Sequence, residues 1–161
     1  MNITLSQKEK MLLEDQKKHE QICIEKYTNY ANQAKDPELK QVFNTNGQQE
    51  RTHLNSINQL LNGTIPQMNQ QQNTGNQPTT PNNNNNNNNN TQTSEVNLTD
   101  TDMCTDLLMT EKYVSGAYDT TIFEFRDTQV RDVLNHIQKE EQKHGEAIFK
   151  YMESNGLYKV Q

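Results

Sequence analysis

Long apolar runs, closely spaced cysteines and an excess of positive charge are all missing from this 161-residue chain. No stretch approaches the roughly 18 apolar residues that would mark a membrane span, and no charged-then-apolar leader opens the sequence. Synthesis in the cytoplasm without a signal peptide is the expectation, with no membrane span. The net charge of −6 sets 15 Lys and Arg against 21 Asp and Glu. The basic residues are scattered among acids and amides, so no basic stripe can follow a phosphate backbone, and nucleic acid is not expected as a partner. The two cysteines, Cys23 and Cys104, have no Cys-x-x-Cys spacing. That excludes zinc knuckles, rubredoxin-type iron and thioredoxin-type redox chemistry. Two free core thiols are expected, with one late disulfide as the alternative.

Proline is scarce outside one segment. Residues 63–98 hold Pro66, Pro78 and Pro81, repeated glutamines and the asparagine run Asn82 to Asn90. So little apolar surface cannot offset the entropy of ordering a chain, so this segment is expected to be a disordered crossover. The asparagine run reads as a neutral spacer, with a self-associating polar tract as the alternative. The chain then divides into residues 1–62, the linker 63–98, and residues 99–161. Neither arm is long enough to close a core alone, and together they make one domain.

Within the arms, one constellation occurs twice at an offset of 91 residues: Glu20, Tyr27, Glu50 and His53, then Glu111, Tyr118, Glu141 and His144. The segments 20–53 and 111–144 agree at seven of 34 positions, and four of the seven are these residues. Asp36 with Asp127, Val42 with Val133 and Asn44 with Asn135 are the others. A duplicated hairpin has drifted nearly everywhere else while keeping a glutamate, then a Glu-x-x-His.

Helical periodicity in both arms predicts four helices, over about 6–34, over about 37–62, from a cap at Thr99 or Asp100 through a stripe ending at Phe125, and over about 128–154, with breaks at Asp36-Pro37, Asn62-Gly63 and Asn155-Gly156. The acidic and histidine positions interrupt the apolar stripes at mid-helix, where a dry, unpaired carboxylate costs several kcal/mol. At a rise of about 1.5 Å per residue, Glu20 and Glu50 stand about 24 Å and 21 Å from the Asp36 turn, level with each other. Glu111 and Glu141 repeat this about Asp127. His53 and His144 follow their glutamates by three residues, on the same face.

Glu20, Glu50, His53, Glu111, Glu141 and His144 therefore read as ligands for two divalent ions, Glu50 and Glu141 bridging and each His terminal. Mixed carboxylate and imidazole donors suit iron or manganese. The alternative is a protonated, hydrogen-bonded carboxylate cluster left from a metal-binding ancestor. Tyr27 and Tyr118 are candidate donors to ligand carboxylates or redox-active groups, against a reading as core tyrosines with satisfied hydroxyls. His19 and His136 lie off the stripes and are expected to be solvated. At the last helix end, Tyr151, Met152, Leu157 and Tyr158 are expected to offer exposed anchoring groups.

The run EQICIEKYTNYANQAK from Glu20, with ERTH at Glu50, resembles the ferritin-like superfamily and rubrerythrin in particular. The segment from Asp106 to Tyr158, ending YMESNGLY, resembles the Coat F family of bacterial endospore coat proteins. The resemblances imply an all-α, ferritin-like four-helix bundle in a spore coat or spore-associated structural protein. They further imply a location on the coat or forespore surface, other coat proteins or self as partners, and two iron or manganese ions. Rubrerythrins place a further glutamate where this chain has Val114. The rivals are a rubrerythrin-like di-iron oxidase or peroxidase and an iron or manganese buffer.

Overall fold

The computed structural model describes residues 3–67 and 98–160. Among these there are four α-helices and no strand: α1 (Gln7–Gln33), α2 (Pro37–Leu61), α3 (Asp100–Glu124) and α4 (Thr128–Ser154). Each start has a side-chain cap that satisfies the free N–H groups of a first turn. Ser6 and Glu9 form a reciprocal capping box on α1, and Thr99 and Asp102 form another on α3. Asp36 and its repeat counterpart Asp127 cap α2 and α4 with the same backbone angles, φ −76° and ψ 123°. The duplicated turn has kept its shape as well as its aspartate.

α2 and α4 both stop at Asn-Gly. Gly156 takes φ +68°, its N–H bonds to Glu153 O and the Leu157 N–H bonds back to Met152 O at 2.8 Å. This paired closure needs a left-handed residue just past the helix, which glycine adopts without a Cβ penalty. Gly63 does the same for α2, at φ +78°. The chain does not leave the bundle there: Ile3 N–H bonds to Gly63 O, Ile65 packs on the core and Pro66 is buried. The rest of the linker, including Asn82 to Asn90, lies outside the described residues.

Contacts at the helix ends fix the topology. The Asp100 carboxylate accepts the N–H groups of Lys35 and Asp36, both at 3.0 Å, and Tyr151 OH donates to Asp36 at 2.8 Å. The α1–α2 turn, the start of α3 and the end of α4 thus share one end. At the other, Glu9 accepts the Arg126 N–H at 3.2 Å. Asn62 and Thr99 therefore lie at opposite ends, as a crossover requires. Every helix is antiparallel to the two it packs against, α1 with α2 and α3, α4 with α3 and α2.

The apolar interior forms two clusters. One gathers Leu13, Ile57, Leu60, Val130 and Leu134 toward the Glu9 end, and the other gathers Leu39, Phe43, Met103, Ile148 and Tyr151 toward the Asp36 end. Cys23 belongs to the first and Cys104 to the second, and both are free. Tyr151 and Met152, expected at the surface, are only 5% and 3% exposed. The Tyr151 bond to Asp36 draws that last turn inward, and Leu157, Tyr158 and Val160 form the exposed apolar end. No helix among the described residues is long and apolar enough to cross a membrane.

Glu9 was not singled out by the sequence pattern, yet it is buried where the α3–α4 turn meets α1. Burial on its own would raise its pKa. The Ser6 N–H, the Arg126 guanidinium, the Ser6 hydroxyl and the Arg126 N–H outweigh this and lower it to about 2. A depressed carboxylate stabilises the fold above its ordinary pKa of 4.5 and loses that contribution as the pH falls toward 2. Glu9→Gln is expected to cost about 2 kcal/mol near neutrality. Thermal melts of the two proteins should converge as the pH drops through that window, and a gap that persists in acid would refute the pairing.

Candidate metal centre

Between the two apolar clusters lies one polar layer to which each helix contributes. Glu20 (α1), Glu50 and His53 (α2), Glu111 (α3), Glu141 and His144 (α4) are all buried, at 0–4% exposure. The six residues expected to converge are brought together. Glu20, Glu50, His53 and Glu141 place one ligand atom each within 4.8 Å of one another, and so do Glu50, Glu111, Glu141 and His144. The two sets overlap in Glu50 and Glu141, the residues expected to bridge.

The layer has a pseudo-twofold pattern. His53 Nδ1 is 3.2 Å from Glu50 Oε2 and 2.9 Å from Glu141 Oε1. His144 Nδ1 is 3.2 Å from Glu50 Oε1 and 3.6 Å from Glu141 Oε2. Each shared carboxylate thus turns one oxygen to each histidine. Glu20 lies 3.7 Å from His53, and Glu111 3.7 Å from His144, as terminal members. Seven residues are two helical turns, so each tyrosine stays on the face of its own glutamate. Because α1 and α3 run antiparallel, it reaches the glutamate of the other hairpin: Tyr27 OH donates to Glu111, and Tyr118 OH to Glu20.

Several buried donor atoms have no partner: Glu20 Oε2, His53 Nε2, Glu111 Oε2 and both oxygens of Glu141. Glu141 Oε1 is close to His53 Nδ1 but not aligned for a hydrogen bond. Unsatisfied buried polar atoms are rare in folded proteins, and here, among the described residues, all of them belong to this layer. Carboxylate oxygens and imidazole nitrogens converging with several of their atoms unpartnered fit divalent cations of the iron and manganese type.

Without a cation, protons must balance the charge. Burial drives Glu20 well above the ordinary carboxyl range, with Glu141 and Glu50 adding to the effect against the His53 hydrogen bond. Burial likewise lifts Glu111 to about 8, against His144. For Glu50 and Glu141, burial alone would raise the pKa, but the imidazoles of His144 and His53 hold both low. Burial disfavours imidazolium, yet Glu111, Glu141 and Glu50 bring His144 up to about 11, and Glu141, Glu20 and Glu50 raise His53 in the same way. The metal-free layer is then two carboxylates, two imidazoliums and two neutral carboxyls.

Asn46 is the participant whose role the sequence pattern missed. Its Nδ2 donates to Tyr27 OH at 3.1 Å and lies 3.5 Å from the His144 carbonyl. It breaks the apolar stripe of α2 as the ligands do, but its counterpart 91 residues on is Ile137, so the repeat passed over it. Next to it, a Cβ on Gly47 would lie 3.0 Å from Tyr27 Cβ. The missing side chain leaves room for the Tyr27 side chain. Of the other histidines, His136 is exposed as expected, whereas His19 is half-buried, 3.3 Å from Gln16 and edge-on to Tyr113.

Residues 99–161, the hairpin of α3 and α4 with its tail, match the family model described as the Coat F domain. No curated protein and no solved structure matches the chain.

In the metal-free protein the raised carboxyls make stability depend on pH in a defined direction. A group whose folded pKa lies above its unfolded value stabilises below the unfolded value and loses this as the pH rises. For Glu111 the loss runs from 4.5 to about 8, and for His144 from 6.5 to about 11. Melting temperature in excess chelator should therefore fall as the pH is raised from about 5 to about 9. Glu111→Gln should flatten the lower part of that slope; a wild-type profile that is flat or rising would contradict the assigned protonation.

Proposed function

We propose that this chain is a spore-coat-associated structural protein built on a ferritin-like bundle, with a centre for two iron or manganese ions. The observation that carries the metal assignment is the pair of overlapping ligand sets sharing Glu50 and Glu141, with unpartnered oxygens and nitrogen in the buried core. The coat assignment is supported by the match of residues 99–161 to the Coat F domain. Other coat proteins, or further copies of this chain, are the proposed partners.

Two divalent cations supply the charge that four carboxylates and two neutral imidazoles require. Glu20 with His53, and Glu111 with His144, would each hold one ion, and Glu50 and Glu141 would hold both. The second reading is a rubrerythrin-like oxidase or peroxidase. It is favoured by the two buried tyrosines whose hydroxyls donate to the terminal glutamates. Burial and the neighbouring Glu111 and Glu20 carboxyls keep both phenols far above their usual pKa, so each retains its proton. A metal buffer would bind the same ions without turnover.

Loading must displace the protons that balance the metal-free layer, one each from Glu20, Glu111, His53 and His144, so affinity should rise with pH. Titrating weakly buffered protein with Mn(II) or Fe(II) should release about two protons per ion, with a stoichiometry of about two ions and a higher melting temperature. Glu50→Gln combined with Glu141→Gln should abolish binding and leave the helical spectrum intact. Identical melting of loaded and chelated protein would remove the metal assignment. Catalytic consumption of oxygen or peroxide by the loaded protein would select the oxidase reading. For the coat role, a fluorescent fusion should ring the forespore during sporulation, and uniform vegetative expression would reject it.

A further inference from the structure

The two halves of the polar layer differ in how they meet the outside. A groove of about 530 Å³ lies between α3 and α4, and among the residues that line it are Glu111, Glu141, Ser115, Gly145, Leu108 and Tyr158. Two of the candidate ligands, Glu111 and Glu141, thus border it, and both also carry buried oxygens without a partner. The wall toward the chain end is Tyr158, which the Gly156 reversal brings edge-on to Phe149, with ring centroids 5.2 Å apart.

Two positions account for the opening. A Cβ built on Gly145 would lie 3.7 Å from Leu108 Cδ1 and 3.9 Å from Glu111 Cβ. A longer side chain there would project into the groove beside Glu111. Ser115, one turn after Glu111, is likewise small. The offset of 91 residues makes Leu54 the counterpart of Gly145 and Ile24 the counterpart of Ser115. Both are half-buried. Bulky apolar residues thus occupy, beside Glu20 and His53, the positions that are small beside Glu111 and His144.

We propose that the α3–α4 groove is the one-sided access route to the centre: the Glu111–Glu141–His144 half exchanges its ion and takes small exogenous ligands from solvent, and the Glu20–Glu50–His53 half is closed. The ion-exchange part rests on the di-metal reading, while the accessibility of Glu111 does not. The ligand class is a small anion or oxygen donor of a few atoms.

Three measurements test this. Protein loaded with Co(II) and mixed with excess chelator should release its ions in two phases of equal amplitude. Gly145→Leu should slow the faster phase about tenfold or more, and Ser115→Ile should act in the same direction if the first variant fails to fold. Azide should perturb the cobalt spectrum of the wild type and not of the variant. In metal-free protein, a small apolar carbodiimide followed by peptide mapping should modify Glu111 about tenfold faster than Glu20, with the difference lost in Gly145→Leu. Single-phase release untouched by either variant, or equal labelling of Glu111 and Glu20, would overturn the one-sided route. If no ion binds at all, the di-metal reading fails and the labelling alone decides whether the groove reaches the layer.

Discussion

Four carboxylates in the dry middle of a four-helix bundle are the constraint around which the rest of this structure is arranged. Ionised together and unpaired they would cost far more than a domain of this size can offset. The fold therefore brings two histidines and two tyrosines to the same level. The imidazoles neutralise Glu50 and Glu141, the phenols donate to Glu20 and Glu111, and burial keeps those last two protonated. Each phenol comes from the other hairpin, and each imidazole reaches the shared glutamate of the other hairpin as well as the one on its own helix. The layer cannot be completed by either hairpin alone, so the same electrostatic demand that makes it costly also ties the two arms into one domain.

That demand fixes the topology too. For Tyr27 to reach Glu111 and Tyr118 to reach Glu20, α1 and α3 must lie side by side and antiparallel. α2 ends beside the start of α1, while α3 starts at the far end, so the chain between Asn62 and Thr99 has to travel the length of the bundle. The end contacts are consistent with this arrangement down to Asp100, which receives the N–H groups of the α1–α2 turn. The apolar residues then pack as one cluster toward each end, and the polar layer is sealed from both.

The helix boundaries, the crossover and the six converging residues were legible because each is written locally or written twice. Asp36 and Asp127 announce the same capped turn, and Glu-x-x-His recurs after the same interval. What escaped was written once. Asn46 has no counterpart, since Ile137 stands in its place. Glu9 finds a partner in Arg126, over a hundred residues away in sequence, so no local pattern marks it. Tyr151 and Met152 were misread as exposed because the Asp36 carboxylate that receives the Tyr151 hydroxyl comes from the other hairpin. Repeats reveal what both copies kept, and these are contacts that one copy alone has or that run between the two.

Divergence between the copies is therefore where the chemistry of this chain is to be sought. Symmetric ligands alone would give two equivalent halves. The surrounding residues make them unequal: Asn46 and Gly47 constrain Tyr27, whereas Tyr118 has no amide partner, and Gly145 and Ser115 stand where the first hairpin has Leu54 and Ile24. The phenol fixed by a second hydrogen bond is the one that donates to Glu111, which also lines the open groove. The phenol with two hydrogen bonds and the carboxylate that borders the groove thus belong to the same half. One layer of paired ligands is thus bordered by bulky apolar residues in one hairpin and by small ones and a groove in the other, so equal ligand sets sit in unequal surroundings.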